Sequence, residues 1–211
     1  MEGNEAFRQR FARPGRPAIV FKSNMRDVAH FSNFMVLGTP IRSGIVGPQM
    51  LDFATVEHYY QAAKAIHIAL PAYAELIRLA ETPLQAKKLG GGASMSKYVD
   101  NNSDALPEAL AIQIRPILTM GDKRKREAAI KGVLKSNMGG FDHANVMRKA
   151  LRLKFDPARD AALVQLLLAT GDAELGESRG RGENLWAINK AGDAGLLGTL
   201  LMERRRELLA H

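Results

Sequence analysis

The chain contains no cysteine, and this absence excludes disulfide bonds, thiolate metal ligands and a thiol nucleophile. A chain without cysteine suits a reducing compartment, so we expect a cytoplasmic protein. No stretch reaches the roughly 18 consecutive apolar residues of a membrane span. The first residues are polar and lack the apolar run of a signal peptide. We therefore expect no membrane partner.

Motifs for metal ions and nucleoside triphosphates are also missing. The five histidines are scattered, and none has a metal-ligand spacing such as HExxH. The chain has no Walker loop, no GxGxxG after a strand and no GxSxG elbow. We therefore predict no metal ion and no cofactor, and the sequence gives no support to ATP hydrolysis or hydride transfer.

Negative charge is the scarcer sign, because 22 Asp and Glu residues stand against 30 Lys and Arg residues, for a formal net charge of +8. Such an excess serves solubility, or it indicates a phosphate-bearing partner such as a nucleotide, DNA or RNA. The basic residues are clustered at 8–16, 123–126 and 204–206, which favours an anion-binding surface. Prolines interrupt the first cluster, so we predict a flexible basic arm over residues 1–17.

The hydrophobic pattern predicts one domain over residues 18–211, of a predominantly α-helical α+β class. Residues 18–21 are β-prone, and residues 45–46 and 50–53 are expected to be their partners in a small sheet near the N-terminus. Residues 90–103 and 172–192 are predicted to be loops. Helices are predicted at 72–80, 83–90, 105–118 and 122–136 and around 146–153. Two further helices are predicted to start at the caps Thr55 and Asp193, and another is predicted to end at Gly171.

The segment Thr55–Lys64, TVEHYYQAAK, is the most informative for chemistry. On a helix, Glu57, Gln61 and Lys64 stand at i, i+4 and i+7 and share one face. A carboxylate and an amine held together where water is limited shift each other's pKa, as acid–base catalysis requires. The alternative is an ordinary solvated face on which Glu57 favours the helix N-terminus. His58 points away and is expected to be structural.

Three other places contain candidate residues, each with a structural alternative. Ser32 and Asn33 lie between two phenylalanines, which form either an aromatic platform with a polar rim or part of the core. Asp142 precedes His143 and is either half of a catalytic pair or a helix cap. Trp186 lies in the long polar loop, where it either stacks on a nucleobase or anchors the loop to the core.

These segments, in this order, resemble the NADAR family, also called YbiA-like. The resemblance covers most of residues 19–209, and its most specific parts are EHYYQAAK and LGTLLMERRREL. The matching segments are residues 31–34, 53–64, 80–90, 146–155, 166–177 and 197–208.

The resemblance implies a YbiA-like fold and cleavage of an N-glycosidic bond. The family's substrates are ADP-ribose attached to guanine in nucleic acid and a ribosylamino-pyrimidine phosphate of riboflavin biosynthesis. The implied pocket contains Ser32, Asn33, Glu57, Lys64, Asp142, Glu177 and Trp186.

The mechanism that we expect assigns these residues roles. Lys64 captures ribose C1 as a Schiff base, and Glu57 is the general acid–base. Asp142 or Glu183 orients water or a ribose hydroxyl, and Trp186 stacks on the base. The substrate-binding set is completed by Lys22, which would hold phosphate, and by Gln61, Ser32, Asn33 and Glu177.

The chain departs from the family pattern at several positions. Phe141-Asp142 replaces Asp-Trp, Glu183 replaces an Asp, Ala187 replaces a Gly and Gly195 replaces an Asn. Residues 91–140 are also longer than expected. A non-catalytic module that binds ADP-ribose or nucleic acid is therefore the alternative to an N-glycosidase. Between the two substrates, the basic arm and the run at 123–126 favour ADP-ribosylated nucleic acid.

Overall fold

A computed structural model describes residues 18–178, 185–189 and 191–210. They form a mostly helical α+β structure, which confirms the predicted class. In chain order the elements are β1 (Ala18–Phe21), β2 (Ile41–Ser43), β3 (Leu51–Phe53), α1 (Val56–His67), α2 (Pro71–Arg78), α3 (Pro83–Leu89), α4 (Gly92–Asn101), α5 (Glu108–Leu118), α6 (Lys123–Asn137), α7 (His143–Lys154), α8 (Ala161–Leu168), β4 (Glu174–Glu177) and α9 (Leu196–Leu209).

The chain divides into two compact units. The central unit is Val36–His143, and the terminal unit consists of the described residues up to Met35 and from Ala144 onward. A single domain over 18–211 stays a prediction. The predicted basic arm at 1–17 lies outside the described residues.

Side-chain caps explain where three helices of the central unit begin. The Thr55 hydroxyl accepts a hydrogen bond from the His58 amide at 3.2 Å and starts α1. Thr82 does the same for α3 through Gln85 at 3.1 Å, with Pro83 in the first turn. Asp122 starts α6 by accepting from two amides. Such caps satisfy amides that have no partner within the helix, and the helix starts predicted for α1 and α3 are confirmed.

Helix α1 lies inside the central unit, and nine of its twelve residues are buried. The predicted apolar stripe supplies part of this burial, including Tyr59, which packs edge-on against Phe53 with ring centroids 5.4 Å apart. The polar residues Glu57 and Gln61 are buried as well, at 5% and 6% exposure. Buried polar side chains require hydrogen-bond partners, and these partners form the site described below.

Two predictions for the central unit are wrong. Residues 45–46 form a bend, and the antiparallel pair is β2 with β3, in the register Ile41↔Phe53. Residues 92–101 form α4, where a loop was predicted. The three consecutive glycines suggested a loop, but only Gly90 and Gly91 precede the helix, and Gly92 is its first residue.

In the terminal unit, β1 pairs in parallel with β4, in a register that joins Ala18 to Glu174 and Phe21 to Glu177. The predicted pairing of residues 18–21 with residues 45–53 is therefore wrong, and so is the loop predicted across 174–177. The sequence ELGE contains no β-branched residue and has little intrinsic tendency to form a strand. Its conformation comes from the partner strand 153 or more residues away in sequence.

Close backbone approach fixes the last helix, α9. A Cβ atom on Gly195 would lie 2.3 Å from the carbonyl oxygens of Trp186 and Ala187, and one on Gly198 would lie 2.0 Å from that of Leu175. No side chain fits at either position, which accounts for Gly195 where an Asn was expected. The helix begins at Leu196 after Gly195, so the predicted cap at Asp193 is wrong. Asp193 instead accepts a hydrogen bond from Asn189 at 3.0 Å.

Candidate active site

The side chains of Glu57, Gln61 and Lys64 form one hydrogen-bonded chain along α1. Gln61 Nε2 donates to Glu57 Oε1 at 2.8 Å. Lys64 Nζ donates to Gln61 Oε1 at 2.9 Å. The helical spacing that the sequence predicted therefore places all three on one face, with the amide of Gln61 joining the carboxylate to the amine.

Gly90, the residue after α3, completes this arrangement. Its carbonyl oxygen accepts a second hydrogen bond from Lys64 Nζ, at 2.6 Å. A Cβ atom at Gly90 would lie 1.9 Å from Gln61 Oε1. Only glycine leaves room for the Gln61 side chain in this position. The sequence identified Gly90 as a helix end, and nothing in the local pattern indicated its contact with α1.

Burial shifts the pKa values of Glu57 and Lys64, the two ends of this hydrogen-bonded series of side chains, in opposite directions. It raises the pKa of Glu57, against the hydrogen bond from Gln61 and the positive charges of Lys87 and Lys64. It lowers the pKa of Lys64, against the negative charge of Glu57. The neutral carboxyl and the neutral amine are both easier to form here than in water. An ordinary solvated face is wrong for this segment, because Glu57 and Gln61 are buried.

Tyr60 and His143, also in the central unit, form a second pair, and the charges of Glu57 and Lys64 affect their pKa values. The Tyr60 hydroxyl hydrogen-bonds to His143 Nδ1, and both rings pack edge-on against Phe141. Burial lowers the pKa of His143, and the positive charge of Lys64 lowers it further. Burial raises the pKa of Tyr60, and the charge of Glu57 adds to this rise. A neutral His143 is a possible proton acceptor beside the chain.

Sequence reasoning placed Tyr60 in the apolar stripe and did not pair it with His143. The two residues are 83 positions apart, so no local spacing could reveal the bond. The only signal was Asp142-His143 itself. The structure places Asp142 exposed at the start of α7, where its charge opposes the lowering of the His143 pKa.

His58 is structural, as the sequence indicated. Its Nδ1 atom lies 2.7 Å from Thr55 Oγ1, and its Nε2 atom lies 2.9 Å from the carbonyl oxygen of Ala80. Burial lowers its pKa, so the neutral ring donates from Nε2 and accepts at Nδ1. The ring therefore ties the start of α1 to the segment before α3.

Three candidate substrate-binding residues, Lys22, Glu177 and Trp186, come together in the terminal unit. Glu177 ends β4 opposite Phe21, so the exposed Lys22 follows at the same edge. Glu177 also forms a parallel bridge with Ala187, the neighbour of the half-buried Trp186. The ends of both strands and the tryptophan segment thus form one polar edge.

Ser32 and Asn33 are also in the terminal unit, and both are buried. The Ser32 carbonyl oxygen accepts from Lys154 Nζ at 2.9 Å, and Lys154 is fully buried. Asn33 Oδ1 is buried and has no hydrogen-bond partner among the described residues, so it is an acceptor that a ligand would satisfy. The neighbouring Phe31 packs against Phe21 at 5.7 Å between ring centroids, which confirms core packing for that ring.

The predicted site residues thus fall into two groups, each described within its own unit. Glu57, Gln61, Lys64 and Asp142 belong to the central unit, and the other candidates belong to the terminal unit. Glu183 lies outside the described residues. Across residues 18–178, 185–189 and 191–210, no cluster of three or more His, Asp and Glu side chains could hold a metal ion. No helix in the same ranges is long and apolar enough to cross a bilayer.

Several arginines of the basic clusters form ion pairs or hydrogen bonds within the protein. Arg126 of the 123–126 run binds Asp100 at 2.6 Å. Arg204 donates to the carbonyl oxygen of Phe155. Arg205 donates to the side-chain hydroxyl of Thr170 and to the main-chain carbonyl oxygen of Ala173. The clusters at 123–126 and 204–206 therefore present less free charge than their sequences suggest, and a nucleic-acid partner stays a prediction.

No family model, curated protein or solved structure matches the chain. Membership of the NADAR family therefore stays a prediction that rests on the matching segments given above.

Proposed function

We propose that the protein is an N-glycosidase that hydrolyses the bond between ribose C1 and nitrogen in a nucleotide-like substrate. The observation that carries this proposal is the buried Glu57–Gln61–Lys64 chain, in which a carboxyl and an amine have pKa values displaced toward their neutral forms. Opposed shifts of this kind are typical of catalytic acid–base pairs. The resemblance to the NADAR family supports the same reaction.

The chemistry begins with the sugar. Ribose C1 is bonded to the ring oxygen and to an exocyclic amine, so the ring can open to an imine at C1. The neutral amine of Lys64 then adds to C1 and forms a new C–N bond. As a proton passes to the departing amine, the original C1–N bond breaks and a Schiff base remains on Lys64. Water hydrolyses the Schiff base, which releases the sugar and restores the free amine.

Glu57 is suited to the proton transfers of this sequence. Burial raises its pKa and so favours the protonated carboxyl that a general acid needs, and Gln61 fixes its position on the same face as Lys64. A positioned acid–base group contributes roughly 10²–10⁴-fold to such a reaction. The Tyr60–His143 pair offers a second proton acceptor in the central unit.

ADP-ribosyl-guanine in nucleic acid is the favoured substrate, and the ribosylamino-pyrimidine phosphate of riboflavin biosynthesis is the alternative. The support for the first is the basic sequence at 1–17 and 123–126. Arg124 and Lys125 of the latter run are exposed. A large polyanion benefits from several such charges, whereas a small phosphate requires one anion site.

The test is to incubate the protein separately with guanine-ADP-ribosylated DNA and with the ribosylamino-pyrimidine phosphate, and to follow sugar release by mass spectrometry. We expect turnover of the DNA substrate and its loss in Glu57→Gln. Turnover of the pyrimidine alone would reassign the substrate. Binding of ADP-ribose with no release of sugar from either compound would reject the glycosidase and favour a binding module.

A further inference from the structure

A cavity of about 190 Å³ in the central unit opens beside Lys64. Its walls come from α1, from the glycines around the start of α4, and from α6. Three of its lining residues are lysines and three are apolar: Lys64, Lys131, Lys135, Met95, Leu134 and Met138.

The charged side chains that line this cavity, among the residues that the structure describes, are all lysines. Lys131 and Lys135 are exposed and stand one turn apart on α6, where like charges repel. Neither has an ion-pair partner within the described residues. Glu127, one turn before Lys131, instead pairs with Lys123 at 4.0 Å. No ion pair within the described part of the chain offsets the repulsion between these two lysines, and an anion would relieve it.

Lys64 lines the same cavity, and its protonated form can donate one more hydrogen bond. An ammonium group has three N–H donors, and two of them are used by Gln61 Oε1 and the Gly90 carbonyl oxygen. The third has no partner within the described residues. Across the cavity, the stem of Lys131 lies over Gly92, with Cε 3.4 Å from where a Cβ atom would stand. The Lys131 stem thus lies at van der Waals distance from the Gly92 position.

The size of the cavity limits what it can hold. Sites that enclose a whole small molecule have volumes of roughly 300–1,000 Å³, so about 190 Å³ accepts one end of a larger ligand. Its floor is apolar, formed by buried Met95 and Leu134, while its rim carries ammonium groups. A phosphate ester matches both parts, because the phosphate contacts the rim and the sugar carbons contact the floor.

We infer that this cavity is a phosphate subsite, in which Lys131 and Lys135 bind a phosphate of the substrate whose ribose reaches Lys64. The inference rests on the proposed function for the identity of that substrate. It assigns a binding role to α6, part of the segment 91–140 that is longer than the resemblance predicts.

The test is isothermal titration calorimetry with ADP-ribose and, as a probe without phosphate, adenosine. The variant is Lys131→Gln/Lys135→Gln, and its matched control is Lys88→Gln/Lys97→Gln, which removes two exposed lysines from α3 and α4 outside the cavity. We expect ADP-ribose to bind the variant about tenfold or more weakly. The control should bind like the wild type, and neither substitution should change the result for adenosine. Circular dichroism should show all three proteins folded.

Equal ADP-ribose affinity in all three proteins would overturn the inference, as would a wild type that binds ADP-ribose no better than adenosine. Because the readout is binding, it separates the two proposals. Weaker binding in the lysine variant, with no sugar release by the wild type, would keep the subsite and reject the glycosidase. Sugar release by the wild type, together with an unchanged ADP-ribose affinity in the lysine variant, would keep the glycosidase and reject the subsite.

Discussion

Lys64 donates from Nζ to the carbonyl oxygen of Gly90 at 2.6 Å, and these two residues enclose the side chain of Gln61. The position of the carboxyl–amide–amine chain thus depends on a residue that has no side chain. A methyl group at Gly90 would occupy the place of Gln61 Oε1, 1.9 Å away.

We predict that Gly90→Ala lowers kcat/KM for sugar release by about 100-fold, because a displacement of about 1 Å at a catalytic group has an effect of this size. Overpacking should also destabilise the fold by about 1–3 kcal/mol, measured by urea unfolding. Gly132→Ala on α6 is the control. Nothing lies within 4 Å of its added Cβ atom, so it should keep activity and gain about 0.5–1 kcal/mol. Equal activity in both variants would contradict the role of Gly90.

The variant Glu57→Gln should be less active and more stable. We expect kcat to fall by about 10²–10⁴-fold, the usual contribution of a general acid–base group. Burial raises the pKa of Glu57 above its ordinary value of 4.5, so the folded state holds the proton more tightly than the unfolded state. The wild type therefore loses stability as pH rises from 4.5 through the raised pKa.

Urea unfolding at pH 4.5 and pH 7 measures this effect. The wild type should lose more stability between these pH values than Glu57→Gln, which has no carboxyl to ionise. If the two proteins show the same pH dependence, Glu57 has an ordinary pKa and the acid–base assignment fails.

Schiff-base formation at Lys64 can be trapped. Sodium cyanoborohydride reduces the Schiff base to a stable secondary amine, which adds the mass of the sugar fragment to the protein. We expect this adduct in the wild type, located at Lys64 by peptide mapping, and its absence in Lys64→Gln. Lys88→Gln, which changes an exposed lysine of α3, should still form it. Full turnover in Lys64→Gln would exclude the covalent mechanism.

Lys154 should make the terminal unit more stable as the solution becomes basic. Burial lowers its pKa to about 7, from an ordinary 10.5. Between these values the folded state has released the proton and the unfolded state has not, so stability rises with pH. We expect the wild type to be more stable at pH 9 than at pH 7, and Lys154→Met to lose this difference. A pH dependence that survives in Lys154→Met would show that other groups cause it.

Local patterns in the sequence predicted the parts of the molecule that local interactions build. The shared face of Glu57, Gln61 and Lys64 follows from helical spacing, and the start of α1 follows from Thr55 as a cap. The same reasoning could not decide whether this face was solvated, because its burial depends on the elements that pack around α1.

The errors arose where distant segments meet. The strand β4 has a weak intrinsic preference and forms through its pairing with β1. The Tyr60–His143 bond and the fit of Gly90 to Gln61 join residues 83 and 29 positions apart. In each case the tertiary fold determines which residues meet, and local patterns in a single sequence do not reveal these distant contacts.

The parallel pairing of β1 with β4 has a consequence for synthesis. Phe21 cannot pair with Glu177 until Glu177 has been synthesised, about 8–30 s later at roughly 5–20 residues per second. The whole of Val36–His143 is made in that interval and can begin to fold first. Until then, β1 has an unpaired strand edge that can join another chain. Protection of β1 during this interval, for example by a chaperone, would therefore prevent such misassembly of the nascent chain.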